Sequence, residues 1–211
     1  MKHLIIIGAG GMGRDVYWSA RGCIGFGEDF DIKGFIDDDL TSQDGYDGYP
    51  PLLGTIDDYQ IEEDDVFNCS MGNVQTKARI CEKLKARGAV FQTLIHKTAN
   101  IHGHTTFGDG CYVGEFALIG TEATFGENCL IQAYSITAHD CKVGDYVRID
   151  THVVIVGGVE IKSRATLHTN SVISHKVVVG EDSIVAACSF VIKRVKPGTT
   201  VYGNPAKKLD Y

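Results

Sequence analysis

Several things are scarce in this sequence, and each scarcity closes a class of answer. There are only 4 prolines and a single tryptophan, and the 25 glycines fall at intervals instead of gathering into one linker. No apolar run approaches the roughly 20 residues that a membrane-spanning helix needs. Met1 leads straight into a strand-like segment, without the charged start, apolar stretch and cleavage site of a secretory leader, so a cytoplasmic protein is expected. The net charge of −7 and the absence of any basic cluster argue against a nucleic-acid surface. The seven cysteines are odd in number and form no CxxC pair, which argues against both a disulfide framework and a structural zinc site. The hydrophobic share of 44% is ordinary for one or two globular domains.

What is present is a period of six. Every sixth residue from Ile95 to Val191 is apolar, with Thr137 as the one polar break and no slip of register. Four residues along from each, the positions from Ala99 to Val195 carry only small or β-branched side chains, Cys111, Cys129 and Cys141 among them. Such a period is too short for a helical repeat and matches the hexapeptide class of parallel β-helix, in which each hexad supplies a short strand and a tight turn. The large and the small residue then both face inward, and stacking the coils buries an apolar column that no single coil could bury. The residue after the large apolar one is often glycine, as at Gly108, Gly114, Gly120, Gly126, Gly144 and Gly180. Glycine at these places is expected to serve a turn that needs positive φ.

Residues 1–90 read as a different domain. Leu4 to Ile7 is a buried-type strand, and Gly8-Ala9-Gly10-Gly11-Met12-Gly13 fits G-x-G-x-x-G before a helix expected from about Arg14. "FDIKGFIDDD" is a second strand ending in acids, "DVFNCSMGN" a third, and "QTKARICEKLKARG" a helix closed by Gly88. This is about half of a doubly wound nucleotide fold. Glycines let a backbone approach an anion at a helix N-terminus, and an acid after the next strand, here Asp37 or Asp38, ordinarily bonds a ribose or a base. Too few strands are present for a full dinucleotide fold, so a single nucleotide fits better than NAD. The alternative is that the glycines only make a tight turn.

The two halves together resemble the sugar acyltransferases that join a small Rossmann-like domain to a left-handed parallel β-helix (residues 91–211 here), the group of the bacterial sialic-acid O-acetyltransferases and the bacillosamine-pathway N-acetyltransferase. The stretches that carry the resemblance are "GAGGMGRDV", "FIDDD", "MGN", "LIHKTANI", "AHDCKVGD" and "VYGNPAK". It implies acetyl-CoA as co-substrate, a nucleotide-activated amino sugar or related sugar as acceptor, and a homotrimer with coenzyme A between neighbouring β-helices. By motif, Gly11, Met12 and Gly13 would meet the phosphates, Asp37 and Asp38 the base and ribose, and Gly72 and Asn73 the rim of the site. Met12 stands where the family often has histidine. On the coiled half the resemblance implies Arg148, Gly157, Thr169 and Ala187 at acetyl-CoA, with Gly157 as a backbone donor to the oxyanion. Arg148 stands where a close relative carries a second histidine, and an arginine is no base at neutral pH. It could bind pantetheine, phosphate or a substrate carboxylate, with His152 compensating one turn on.

Acyl transfer from a thioester needs a base with a pKa near neutrality, and histidine is the default. Of the eight histidines, His3, His96, His102, His104, His168 and His175 read mostly as solvated groups on turns. His139 stands apart, because it follows the polar break at Thr137 and precedes Asp140, and because "SITAHDCKVGD" resembles the family's catalytic His-acid pair. His139 is therefore expected as general base with Asp140 supporting it. Neighbours on a strand face opposite ways, so the pair can meet only if the backbone turns there. N- and O-acylation are not separable at this stage. Two rival readings stand beside this one. A zinc hydratase of the γ-carbonic-anhydrase type could pair His139 with His175, although no third histidine follows near Gly180. A non-catalytic trimeric scaffold could carry the nucleotide-binding domain.

Overall fold

In a computed structural model, described over residues 1–209, the chain divides into two compact units, Met1–Lys97 and the remainder from Thr98 onward. The first unit opens with β1 (Lys2–Ile7), whose residues Leu4 to Ile7 are fully buried. There follow α1 (Gly11–Ala20), β2 (Phe30–Ile36), β3 (Asp65–Cys69), α2 (Val74–Ala86) and β4 (Val90–Phe91), a short strand beyond those read from the sequence. The strands pair in parallel in the order β2-β1-β3-β4. The glycine run thus leaves the end of a central strand. Helix α1 begins at Gly11, earlier than expected, because Gly10 is extended and its carbonyl already accepts from Arg14 N–H at 3.0 Å.

The long segment between β2 and β3 folds back along the edge of β2, where Phe35 N–H donates to Pro51 O and Leu53 N–H to Phe35 O. Asp65 pins its far end. That buried carboxylate takes hydrogen bonds from Lys33 Nζ, the Tyr59 hydroxyl and Glu62 N–H, each 2.8 Å. Burial alone would raise the Asp65 pKa, but these donors, Lys33 first, outweigh it and hold the carboxyl below its usual range.

The second unit is a parallel β-helix. Two-residue strands repeat every hexad, and Thr124 pairs with Lys142 and Phe125 with Val143, so that three hexads make one coil. The strands stack as three faces. The first runs from Thr106–Phe107 to Val178–Val179, the second from Tyr112–Val113 through Arg148–Ile149 and Ile184–Val185 to Thr200–Tyr202, with Lys207–Lys208 antiparallel at its end, and the third from Asn100–Ile101 through Ile136–Thr137 to Phe190–Val191. The large hexad residues from Val113 to Val191 are buried, Thr137 included, and so are the small ones at Cys111, Cys129 and Cys141.

The expectation about glycine is overturned. Gly108, Gly114, Gly120, Gly126, Gly144 and Gly180 are absent from the left-handed region. They are glycine because a Cβ would strike the backbone of the next coil, 2.8 Å from Glu127 N at Gly108 and 2.7 Å from Ser163 N at Gly144. Positive φ falls two residues later, on Gly110 after Gly108 and otherwise on side-chain-bearing residues such as Glu122 (60°) and Asn128 (54°), and Asp140 (58°) holds the same corner after Ala138. That conformation costs roughly 1–2 kcal/mol for most residues. It aims the N–H at the coil beneath, where Glu122, Asn128 and Asp140 donate to Gly103, Asp109 and Thr121.

Two measurements follow. Gly144→Ala should lower stability by about 1–3 kcal/mol through overpacking, whereas Glu122→Gly, which relieves a left-handed side chain, should melt no lower than the parent; the reverse order in calorimetry would refute this account of the coil. Asp65 contributes stability above the ordinary carboxylate range that is lost as pH falls through its lowered folded value. Asp65→Asn should therefore cost about 2 kcal/mol at pH 7 and flatten the acid limb of a stability–pH curve.

Candidate active site

His139 lies in the turn between the strands Ile136–Thr137 and Lys142–Val143, at the edge joining the third face to the first. The left-handed backbone at Asp140 is the turn that the sequence demanded. It brings His139 Nδ1 to 2.7 Å from Asp140 Oδ2. With Nδ1–H donating to the carboxylate, Nε2 is left as the proton acceptor. In the single chain both side chains are largely exposed, 59% and 65%.

The coils above and below shape this turn. A Cβ at Gly120, one coil beneath, would lie 2.7 Å from His139 N. A Cβ at Gly157, one coil above, would lie 2.6 Å from His139 Nε2 and 2.7 Å from Cε1. Glycine at 157 is therefore the space in which the imidazole sits. Gly158 N–H donates to His139 O at 2.9 Å and fixes the turn from above. The Gly157 N–H donates to no group among the described residues and stands beside the imidazole. A base and a backbone donor side by side can take a proton from a nucleophile and hold an oxyanion.

The other acetyl-CoA candidates lie elsewhere. Arg148 is on the second face and grips the buried Asp150 with Nε at 2.6 Å and Nη2 at 3.1 Å, while His168 Nδ1 approaches the same carboxylate at 2.9 Å. The sequence reading missed this Asp150 cluster: Arg148 is two residues away on the same coil, but His168 joins it only across one coil of stacking. Thr169 and Ala187 occupy successive coils at the edge joining the second face to the third, where Phe116, Tyr134 and His152 also stack ring on ring at 5.1 and 5.2 Å. His175 lies two coils above His139 on the same edge, but no three His, Cys, Asp or Glu side chains among the described residues are grouped to hold a metal ion.

The second site is in the first unit. An open cleft of about 270 Å3 is lined by Gly8, Gly10, Gly11, Met12, Gly13, Asp37, Ser70, Met71 and Gly72. The third glycine of the motif is needed for packing, because a Cβ on Gly13 would stand 1.9 Å from Gly8 O. Gly10 and Gly11 face open space, and no side chain caps the first turn of α1. Asp37 uses Oδ2 to accept from Ala9 N–H at 2.7 Å and Oδ1 to accept from Asp39 N–H at 3.0 Å, so it holds the glycine loop in shape. Asp38 accepts from Ile56 N–H, and Asn73 caps α2 by accepting from Thr76 N–H at 2.9 Å; neither lines the cleft. Ser70 and Met71 were not anticipated, although both sit in the quoted third strand and its turn.

Comparison with known proteins follows this division. Residues 3–84 match the family model of the PglD N-terminal domain, and residues 122–157 match that of the bacterial transferase hexapeptide repeats. No curated protein matches the chain in sequence. Among solved structures, the chain is similar to the acetyltransferase domain of PglB from Neisseria gonorrhoeae FA1090, at 26% identity and a TM-score of 0.90 over 99% of this chain and 100% of that one. The same domain has been solved in complex with acetyl coenzyme A. WeeI from Acinetobacter baumannii AYE matches at 25% identity and 0.81 over 99% and 100%. PerB from Caulobacter crescentus, in complex with CoA and GDP-perosamine, matches at 22% and 0.88 over 100% and 98%, a likeness of fold. The resemblance read from the sequence thus holds on both halves, and the helix is the left-handed kind expected.

The geometry at the turn makes one substitution decisive. Gly157→Ala should drive the His139 ring from its place without unfolding the chain. The His139 imidazole resonances in a long-range 1H–15N spectrum should move, and those of His168 should not; an unmoved His139 would show that the glycine is not what seats it.

Proposed function

We propose that this chain transfers an acetyl group from acetyl-CoA to the amino group of a nucleotide-activated sugar, with His139 as general base. The observation that carries the proposal is the His139–Asp140 pair seated against Gly157. It supplies an oriented base and an unspent N–H within one small space. The neighbours support the substrates: the gonococcal domain is described with acetyl coenzyme A, and the Caulobacter protein as a GDP-perosamine N-acetyl transferase.

The step follows from the groups present. His139 Nε2 takes a proton from the sugar amine as its nitrogen bonds to the thioester carbonyl carbon. The oxyanion that forms is met by the Gly157 N–H. Collapse breaks the carbon–sulfur bond, the imidazolium returns the proton to the departing sulfur, and the products are the N-acetyl sugar and free coenzyme A. Asp140 keeps the ring in the required tautomer and stabilises its charged form.

A base this exposed needs a wall to exclude water. Arg148 lies on the second face and Thr169 and Ala187 on a different edge of the prism from His139, so a second copy that presents them would bring them to coenzyme A beside His139. A homotrimer of packed β-helices meets that need. In the first unit, the cleft at the glycine loop takes the nucleotide, with Gly11, Met12 and Gly13 at the phosphates and Asp37 and Gly72 at its walls. Asp38 and Asn73 act one step back, through the backbone that they hold.

The test is a panel of UDP-, dTDP-, GDP- and CMP-amino sugars with acetyl-CoA, followed by thiol release, on a preparation whose mass is read by light scattering. One of them should be acetylated by a trimer. His139→Ala should lower kcat by about a hundredfold or more while nucleotide binding persists. Unchanged transfer would remove His139 from the mechanism, and activity on hydroxyl sugars alone would replace the amine.

A further inference from the structure

We infer that Arg14 is the cation that binds the diphosphate of the nucleotide, and that it fastens segment 39–48 beside the glycine loop as it does so. The inference rests on the reading of the glycine cleft as the nucleotide site. That cleft has a charge deficit. Its one charged lining group is the carboxylate of Asp37, its glycine peptides offer neutral N–H groups, and Met12 offers no side-chain donor. A diphosphate carries about two negative charges, and the half-charge of a helix terminus does not balance them.

Arg14 is the residue next to the last glycine of the motif. Its Nη1 stands 3.2 Å from Ala9 O in the loop and 3.3 Å from Ser42 O in the segment after β2. Its guanidinium lies 3.6 Å from the centroid of the Tyr46 ring, further along that segment. One nitrogen thus joins two backbones while the flat face is held by an aromatic ring. Nε and Nη2 make no hydrogen bond among the described residues. These are the remaining donors of the fork, on a side chain that touches the glycine loop at Ala9 O, just outside the cleft lining, and rests its flat face on Tyr46. Segment 39–48 is itself ordered from the cleft, because Asp37 accepts from Asp39 N–H and Asp39 in turn accepts from Thr41. Asp37 and Arg14 therefore hold the same segment at two points. Asp37 sets the loop by accepting N–H groups, and Arg14 sets it by donating to carbonyls.

The experiment is isothermal titration of the full chain with nucleoside diphosphates and with the corresponding nucleosides, in the parent, R14A and R14K. The parent should bind at least one diphosphate. R14A should bind it about tenfold more weakly or worse, with less than a twofold change for the nucleoside. R14K, which keeps the charge and loses the fork, should fall between. Acetyl-CoA affinity should not move. An equal loss for nucleoside and diphosphate would make Arg14 a purely structural latch and overturn the inference, as would unchanged diphosphate binding in R14A. If R14A melts early, R14Q carries the same comparison. A parent chain that binds no nucleotide would remove the reading of the cleft and this inference with it, an outcome distinct from loss in neither variant.

Discussion

The coiled half depends on one constraint: each peptide must hydrogen-bond to the peptide one coil away, at a fixed spacing and in a fixed register. Leu130 N–H meets Val147 O, Arg148 N–H meets Ala165 O, and Thr166 N–H meets Ser183 O, coil upon coil. Near several corners the backbone passes so close to the next coil that a Cβ is forbidden, as at Gly108 and Gly144, and at the corners the chain must then point an N–H downward through a left-handed residue. The ladder of bonds offsets the strain at each left-handed corner, since a buried peptide left unpaired would cost more. His139 and Asp140 inherit their geometry from this rule. Asp140 is left-handed because every equivalent corner is, and the carboxylate reaches its neighbour's imidazole for that reason alone.

The same rule explains what could be read from the sequence. The six-residue period was legible because burial selects side chains by size, and size is written in the residue type. The His139–Asp140 pair was legible because it follows the one polar break in the period, at Thr137, in a segment that resembles the family's His-acid pair. The left-handed corners were not legible. Residues as unlike as Phe116, Glu122, Asn128 and Lys176 occupy them, since the backbone bond does the selecting. Glycine was legible as a signal but misread as to cause, because close approach and positive φ select the same residue. The distinction exists only once the neighbouring coil is in place.

In the front unit, the acids after β2 were legible as a functional position and not as a structural one. Asp37 and Asp38 each accept backbone N–H groups from segments far away in sequence, and no local pattern announces that. A carboxylate that shapes a loop and one that binds a ribose look alike in a string of letters. Asp37 both lines the cleft and holds the shape of its loop, whereas Asp38 holds the turn at Ile56 and does not line the cleft.

Both halves therefore use glycine to let something approach, and in both the consequence is chemical. At Gly13 the absent Cβ lets the start of α1 close on Gly8, which turns the helix terminus toward the cleft. At Gly157 it lets an imidazole rest on the backbone of the coil above, with the acceptor nitrogen nearest the gap. A larger residue at Gly157 would leave the ladder of backbone hydrogen bonds formed and the imidazole displaced, whereas at Gly13 it would strike the Gly8 carbonyl and part the helix from the strand. Stability and the seating of a side chain are thus separable at Gly157, where the neighbour is the His139 ring, whereas at Gly13 and Gly144, where the neighbour is backbone, a Cβ acts on the packing itself.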